Sequence, residues 1–442
     1  MNVTIIRGLG ATFVVALVAA ASQACAFHSG GVAECGGCHS MHSPDPAGSA
    51  LLVGTTHSST CLECHAQAGR SSYHVKTPTA DMAAGVPPVN LTPGGDFGWL
   101  EKDYVFVVSG STVHEPGREH GHNVVAPDFG LSADPSNATS PGGSFAAAEL
   151  SCVSCHDMHG QYRRLSSGSV VRGGYYGQLG GAFGATAPIV GSGSYSTSTN
   201  PIAGQAVGVY RLLWGAGATV GPVTFGGVPA AVAPATYNRS EVTSQTRVSY
   251  GVGSRDGFEN WGTWCATCHD GMHSRGAGVH PIDRQVGGNR LVYNNYVSSG
   301  DLSADFTGDH AAQGPYLSLV PILKNDQGWA ALRVYAAAGA TTSTELSGAD
   351  PQDNVSCLSC HRAHASGFPF MLRWQMEGEF ITVADTLAEG YQAIWPAIDN
   401  GAPPEFARGR TELEQRTAYY ERPAAAFGIY QRSLCNKCHG HD

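Results

Sequence analysis

Regular alternation of apolar and polar residues is scarce in this chain of 442 residues. Tyr104–Val108 has the aromatic and β-branched content of a strand, and Val220–Phe225 has it too, although Pro222 interrupts the run. The best amphipathic helix is Arg410–Tyr420, where Leu413, Thr417 and Tyr420 share a face with charges opposite. Elsewhere, runs such as Gly191–Ser198 and Thr341–Thr344 show no hydrophobic period. One apolar run, Ala11–Ala21, is too short to span a bilayer comfortably. It follows Arg7 and precedes small residues at Ala24 and Ala26, so residues 1–26 are predicted to be a secretory signal cleaved after Ala26. Acylation of Cys25 would make the leader that of a lipoprotein, but Ser22-Gln23-Ala24 is a poor lipobox. No later segment reads as a membrane helix.

Composition sharpens this. Only 14% of residues are charged, while Gly (58) and Pro (24) make up nearly a fifth of the chain. Such low complexity ordinarily leaves a chain disordered, because too little apolar surface is buried to offset the ordering entropy. A formal net charge of −10 excludes a basic nucleic-acid groove. It favours solubility, and cationic or metal-bearing partners over anionic ones.

The cysteines change the picture. Cys-x-x-Cys-His occurs six times. The first three copies are Cys35, Cys38 and His39; Cys61, Cys64 and His65; and Cys152, Cys155 and His156. The last three are Cys265, Cys268 and His269; Cys357, Cys360 and His361; and Cys435, Cys438 and His439. This is the attachment motif of c-type haem. The two thiols add across the vinyl groups of one porphyrin, and the histidine is held under the iron as proximal ligand. Structural zinc also uses Cys-x-x-Cys pairs, but gives no reason for a histidine after every pair. With 19 His in the chain, chance would place one after all six pairs with odds on the order of one in 10⁸. The motifs use twelve of the 13 Cys and the leader holds the last, so no mature thiol remains for a disulfide. Six porphyrins would each bring two apolar faces for side chains to cover. The expected fold is therefore a mostly coil, irregular multihaem cytochrome c fold with short helices and few short strands, its core a stack of six haems.

Thirteen histidines lie outside the proximal positions, more than enough to supply a sixth ligand to every iron; six methionines follow Met1 as competitors. Odd-numbered motifs extend to a further histidine three places on: His42, His159 and His364. In a helical turn that residue lies on the same side as the proximal ring, so it serves a different iron. A lone histidine also precedes each odd motif: His28, His122 and His280. The chain thus reads as three haem-pair units (about 27–113, 114–279 and 280–442) forming one domain over 27–442. Each leading histidine is expected to cap the even haem of its unit, with His159 serving the first haem and His364 the third. His74 and His273 are reserve candidates; His57, His114, His120, His310 and His441 are expected to be mostly ordinary surface or propionate-bonding residues. Thr92–Trp99 is a glycine-rich turn expected to pack on haem rather than to cradle phosphate. Asn90 and Asn137 head glycosylation-acceptor triplets of a kind that often arise by chance.

The segments Phe27–Cys35, Thr92–Trp99, Ala231–Arg239, Cys357–Phe368 and Leu434–His439 give the chain a close resemblance to the filament-forming outer-surface hexahaem cytochromes of metal-reducing bacteria. The resemblance covers most of the mature chain and is weak over about 165–230 and 282–350. It implies a mostly coil fold, bis-histidine haems in alternating parallel and T-shaped contact, and a haem chain continuous across subunits. It also implies that His42 ligates the fifth haem of the next subunit; counting two haems back from the first motif leads to the same place. The expected function is electron transport, not catalysis. Its expected setting is a secreted, extracellular filament on the outer cell surface, with other multihaem cytochromes as partners and metal oxides or partner cells as acceptors. The alternatives are a monomeric periplasmic or outer-membrane shuttle, and a nitrite- or hydroxylamine-type multihaem reductase, which would need a five-coordinate haem. The intact mass of the mature protein should equal the chain from Phe27 plus six haem groups; fewer haems, or bound zinc, would defeat the haem assignment.

Overall fold

The computed structural model describes residues 35–40, 51–67, 74–172, 207–233, 248–253, 256–273, 280, 282–295, 319–325, 328–337, 349–386 and 391–439. The leader, His28, His42 and the runs 191–198 and 341–344 lie outside them. Regular elements are short. Among the described residues the longest helices, His57–His65 and Trp329–Ala337, have 9 residues each, most strands have two or three, and turns and extended loops make up the rest.

Tyr104–Val108 is a strand, paired antiparallel with Ser111–Glu115. Tyr104 and Phe106 point inward while Val105 and Val107 are exposed, the alternation of a half-buried strand. The hairpin reverses at Ser109-Gly110, both at positive φ (50° and 80°), which matches the twist of the strands it joins. Val220–Phe225 is not one strand. Gly221 (φ 54°) and Pro222 turn the chain, leaving a tight hairpin of Thr219–Val220 against Val223–Thr224.

The helix of the C-terminal region runs Glu412–Ala418, where Thr411 and Glu414 form a reciprocal capping box. Its inward face differs from the one the apolar spacing suggests. Leu413 is 40% exposed, whereas Glu414 is buried with Lys102 Nζ at 2.9 Å and the Tyr104 hydroxyl at 3.3 Å. A paired carboxylate has taken the place of a leucine.

Three apolar clusters form, and each lies against haem-attachment motifs. Tyr162, Trp261, Trp264, Trp329 and Leu358 belong to one that packs on Cys155 and Cys265. Tyr104, Phe368, Trp374, Trp395 and Tyr419 belong to a second, which packs on Cys360, Cys435 and Cys438. Leu62, Phe97, Val124 and Leu131 form a third around the second motif. Residues of the first sequence unit thus share a core with residues of the third.

The tie between the hairpin and the C-terminal segment is ionic. Arg410, fully buried, donates to the Gly367 carbonyl (3.0 and 2.7 Å) and to the Glu115 carboxylate, and lies 4.1 Å over Tyr104. Buried His120 meets the same carboxylate at 2.8 Å through Nε2 and the Trp99 carbonyl at 3.1 Å through Nδ1. Burial works to raise the Glu115 carboxyl, but Arg410, then the His120 hydrogen bond, outweigh it and hold the group at about 2. This lies below the unfolded value of about 4.3, so the contribution is complete above that pH and is lost as the pH falls towards 2. Glu115→Gln should leave the buried Arg410 without its carboxylate and lower stability by about 3–5 kcal/mol. Thermal unfolding at pH 7 should show that loss, and the gap between variant and parent should narrow in acid.

Candidate haem-binding sites

Each Cys-x-x-Cys-His forms or overlaps a helical turn, and three of these turns have a capped start. Ser151 and Ser356 cap the third and fifth motifs, each in a reciprocal pair with the serine three residues on, and Thr56 caps the helix that carries the second. The turn then closes from the histidine amide to the first cysteine carbonyl: His156 to Cys152 (3.0 Å), His269 to Cys265 (3.2 Å), His361 to Cys357 (2.8 Å) and His439 to Cys435 (3.2 Å). Both thiols and the imidazole thereby leave one short stretch of backbone in fixed relation.

A second device recurs at the odd motifs. His39 bridges Leu52, His156 bridges Leu213 and His361 bridges Leu372. Ser40, Asp157 and Arg362 donate to Leu51, Leu212 and Met371 (2.6, 2.6 and 2.9 Å), and Val53, Trp214 and Arg373 donate back to Cys38, Cys155 and Cys360 (3.0, 3.1 and 2.8 Å). Leu51, Leu212 and Met371 all hold a left-handed φ, at 52°, 50° and 58°. Three unrelated stretches of sequence thus make the same strained clasp, each ending in leucine. The recurring Leu51-Leu52, Leu212-Leu213 and Met371-Leu372 pairs are the only trace of it in the sequence.

The clasp also orients the ring. His156 Nδ1 meets the Arg211 carbonyl and His361 Nδ1 the Phe370 carbonyl, both at 2.7 Å. His269 Nδ1 uses Pro141 (2.9 Å) and His122 Nδ1 uses Ala363 (2.7 Å). A carbonyl only accepts, so each of these rings carries its proton on Nδ1 and keeps the Nε2 lone pair for a metal. Burial lowers His122 to about 4 and His364 to about 3, and lowers His361 and His280 as well, so these four are neutral at physiological pH.

Among the described residues, the fold sets three pairs of these rings opposite one another, tilted or edge-on at 34°, 59° and 88°. Centroids are 6.0 Å apart for His122 and His269, and 6.3 Å apart for His156 with His364 and for His280 with His439. Two imidazoles bound at about 2.0–2.1 Å on opposite sides of one metal would have centres about 6–6.5 Å apart. The donor set and its spacing fit haem iron. His39 lies in the bridge to Leu52, and the His159 amide donates to the Asp157 carboxylate at 3.1 Å. The histidines expected opposite His65 and His361, namely His28 and the neighbour's His42, lie outside the described residues.

Of the reserves, His273 Nε2 is 3.4 Å from Asp283, whereas His74 Nε2 is buried without a hydrogen bond. His74 stands beside His65, since Val75 N–H donates to the His65 carbonyl at 2.8 Å. His120 has both nitrogens engaged and is structural. The Thr92–Trp99 turn serves His364. Phe97 stacks on that ring (4.7 Å, 23°), and a side chain at Gly94 would come within 2.8 Å of it.

Successive motifs lie near one another in chain order, and two of the junctions are direct contacts. Cys61 and Cys152 share a side-chain hydrogen bond, as do Cys265 and Cys357, raising the first thiol of each pair and lowering the second. Cys38 acts on Cys61, Cys268 on Cys155, and Cys435 and Cys438 on Cys360. The attachment points therefore form an unbroken line from first to sixth.

Cys64 departs from the equal part that the motif spacing gives to both thiols of every pair. It is half-buried near the end of the helix His57–His65, and it acts on Cys61 of its own motif but on no neighbouring motif among the described residues. The helix explains the difference. Three residues after Cys61, the second thiol stands about 4.5 Å further along the axis, past the point where Cys152 meets the first. Cys64 can therefore serve its own porphyrin, while Cys61 alone links the second motif to its neighbours.

Short capped turns, little regular structure and a line of Cys-x-x-Cys-His units define a multihaem c-type cytochrome. No protein-family model matches the chain. It is 43% identical over 456 aligned residues to the C-type cytochrome OmcS of Geobacter sulfurreducens, covering 97% of each protein. Two solved structures, of OmcS nanowires and of the outer membrane cytochrome S filament from the same organism, superpose with TM-scores of 0.78 and 0.79. Each is 42% identical, with 94% of this chain and all of the other covered. The chain belongs to the OmcS family.

Replacing His122 with Ala should leave one haem high-spin or water-ligated, the one carried by Cys265 and Cys268. Visible and paramagnetic-resonance spectra would report it, and a wholly low-spin variant would remove His122 from the ligands.

Proposed function

We propose that this protein is a six-haem cytochrome that polymerises outside the cell and conducts electrons along a haem line to extracellular acceptors such as metal oxides or partner cells. The observation that carries the reading is the nearness of each motif to the next, from Cys38 to Cys438. Haems attached at these points would lie close enough for electrons to pass without diffusion of any carrier.

In this reading each of six cysteine pairs holds one haem: Cys35 with Cys38, Cys61 with Cys64, Cys152 with Cys155, Cys265 with Cys268, Cys357 with Cys360 and Cys435 with Cys438. The proximal ligands are His39, His65, His156, His269, His361 and His439. The distal ligands are His28, His122, His159, His280, His364 and the neighbour's counterpart of His42. The ring pairs support three of these assignments: His122, His280 and His364. Histidine on both faces gives saturated, low-potential iron suited to passing electrons rather than binding a substrate. The protein supplies position, burial and hydrogen bonds to the rings. The predicted leader at 1–26 accounts for export.

Counting two haems back from the first motif, His42 serves the fifth haem of another subunit. The likeness of the chain to OmcS filaments supports assembly of this kind. Such a contact is head-to-tail and does not close on itself, so it builds an open filament. His42→Ala should give folded six-haem monomers or short oligomers with one high-spin haem per chain. Filaments of normal length in negative stain would show that His42 is not the joint, whereas a parent protein that itself failed to polymerise would favour a monomeric shuttle.

A further inference from the structure

Arg164 ends the strand Tyr162–Arg164, is paired through its backbone with Val170 and Val207, and its side chain is 2% exposed and in no ion pair with a described residue. Both Nε and Nη1 are sealed from solvent without an acceptor. Its guanidinium lies 4.4 Å from the centre of the Trp329 ring, and that of Arg333 lies 5.4 Å from the same ring. The indole Nε1–H is also buried without an acceptor. Asp256, the carboxylate nearby, accepts the Trp329 amide hydrogen at 3.0 Å and bridges to neither arginine.

Two cations, buried Arg164 and exposed Arg333, thus lie against one indole whose own donor is unsatisfied, and no described carboxylate pairs with either. An isolated buried charge is expensive, and a cation–π contact returns only a small part of its lost hydration. Burial, then the charge of Arg333, lower Arg164 to about 9, which leaves it cationic at neutral pH. Trp329 and Tyr162 belong to the apolar cluster that packs on Cys155 and Cys265, the attachment points of the third and fourth motifs. Haem carries two carboxylates on the porphyrin edge opposite the thioether-bearing one.

We propose that Arg164, Arg333 and the Trp329 indole N–H form a carboxylate-binding site that holds a propionate of the haem at the third or fourth motif. The proposal rests on the six-haem reading. It makes Arg164 a positioning residue, acting through the propionate to hold the porphyrin in plane and to raise that haem's potential.

The test uses purified, haem-loaded protein. Intact mass is measured first on parent and variants; fewer than six haems in the parent would fail the haem reading itself. With six present in both, Arg164→Leu should lower the melting temperature and move one haem's contribution in a redox titration to lower potential, because a buried carboxylate loses its cation. Arg164→Lys should restore part of both. Trp329→Phe, which keeps the ring and removes the donor, should shift the same haem in the same direction, and serves if the leucine variant does not fold. An Arg164→Leu protein as stable as the parent or more so, with an unchanged titration, would overturn the proposal, since leucine would then only have removed an unpaired charge. A parent titration that shifts with added acetate or phosphate at constant ionic strength would assign the site to a solution anion and overturn the propionate.

Discussion

The hydrogen bond from a histidine Nδ1–H to a backbone carbonyl underlies much of what this structure can do. It is a single bond of 2.7–2.9 Å, made at His122, His156, His269 and His361. It decides which nitrogen carries the proton, and so which way the metal-binding lone pair points. It also increases the donor strength of the ring. Everything around it serves to place the carbonyl: the left-handed residues at Arg211 and Phe370, the Pro141 turn, and the stretch ending at Ala363 just before His364. A fold with little regular structure achieves rigidity here by pinning rings rather than by packing helices.

How much of this was legible in the sequence depends on how local the signal is. The motifs, the strand Tyr104–Val108 and the capped C-terminal helix are governed by neighbours within a few residues, and they read directly. The ring pairs His122 with His269 and His280 with His439 span long separations, yet the repeated order of histidines around each motif pointed to them. Inward-facing Glu414 did not read, because its burial depends on Lys102, which lies far away in sequence and is brought to it by the fold. The unequal parts of Cys61 and Cys64 did not read for the same reason, since Cys152 decides them from another element. The clasp leucines did not read either. Their role rests on main-chain bonds, which any residue can make, so only a weak Leu-Leu or Met-Leu trace marks them.

Charge is used sparingly and inside. With 14% charged residues, the chain still buries Arg164, Arg362, Arg373, Arg410 and Arg422 almost completely. Arg410 joins the hairpin to the C-terminal segment through Glu115, and Arg373 donates to the His361 carbonyl at 3.0 Å. Arginine suits this because its planar cation stacks on aromatic rings while its edge donates to carbonyls and carboxylates. The net effect is a core in which aromatic side chains, guanidiniums and the attachment motifs interleave.

The clasp closes over very different lengths of chain. From His156 to the carbonyl of Arg211 the separation is 55 residues, whereas from His361 to Phe370 it is only 9. The same geometry survives both, because loop-closure entropy grows only with the logarithm of length. The segment between motif and clasp is therefore free to lengthen, shorten or change composition without moving a ring. Descendants of one ancestral cytochrome could redecorate the outside of the molecule while the interior that positions the motifs is inherited intact.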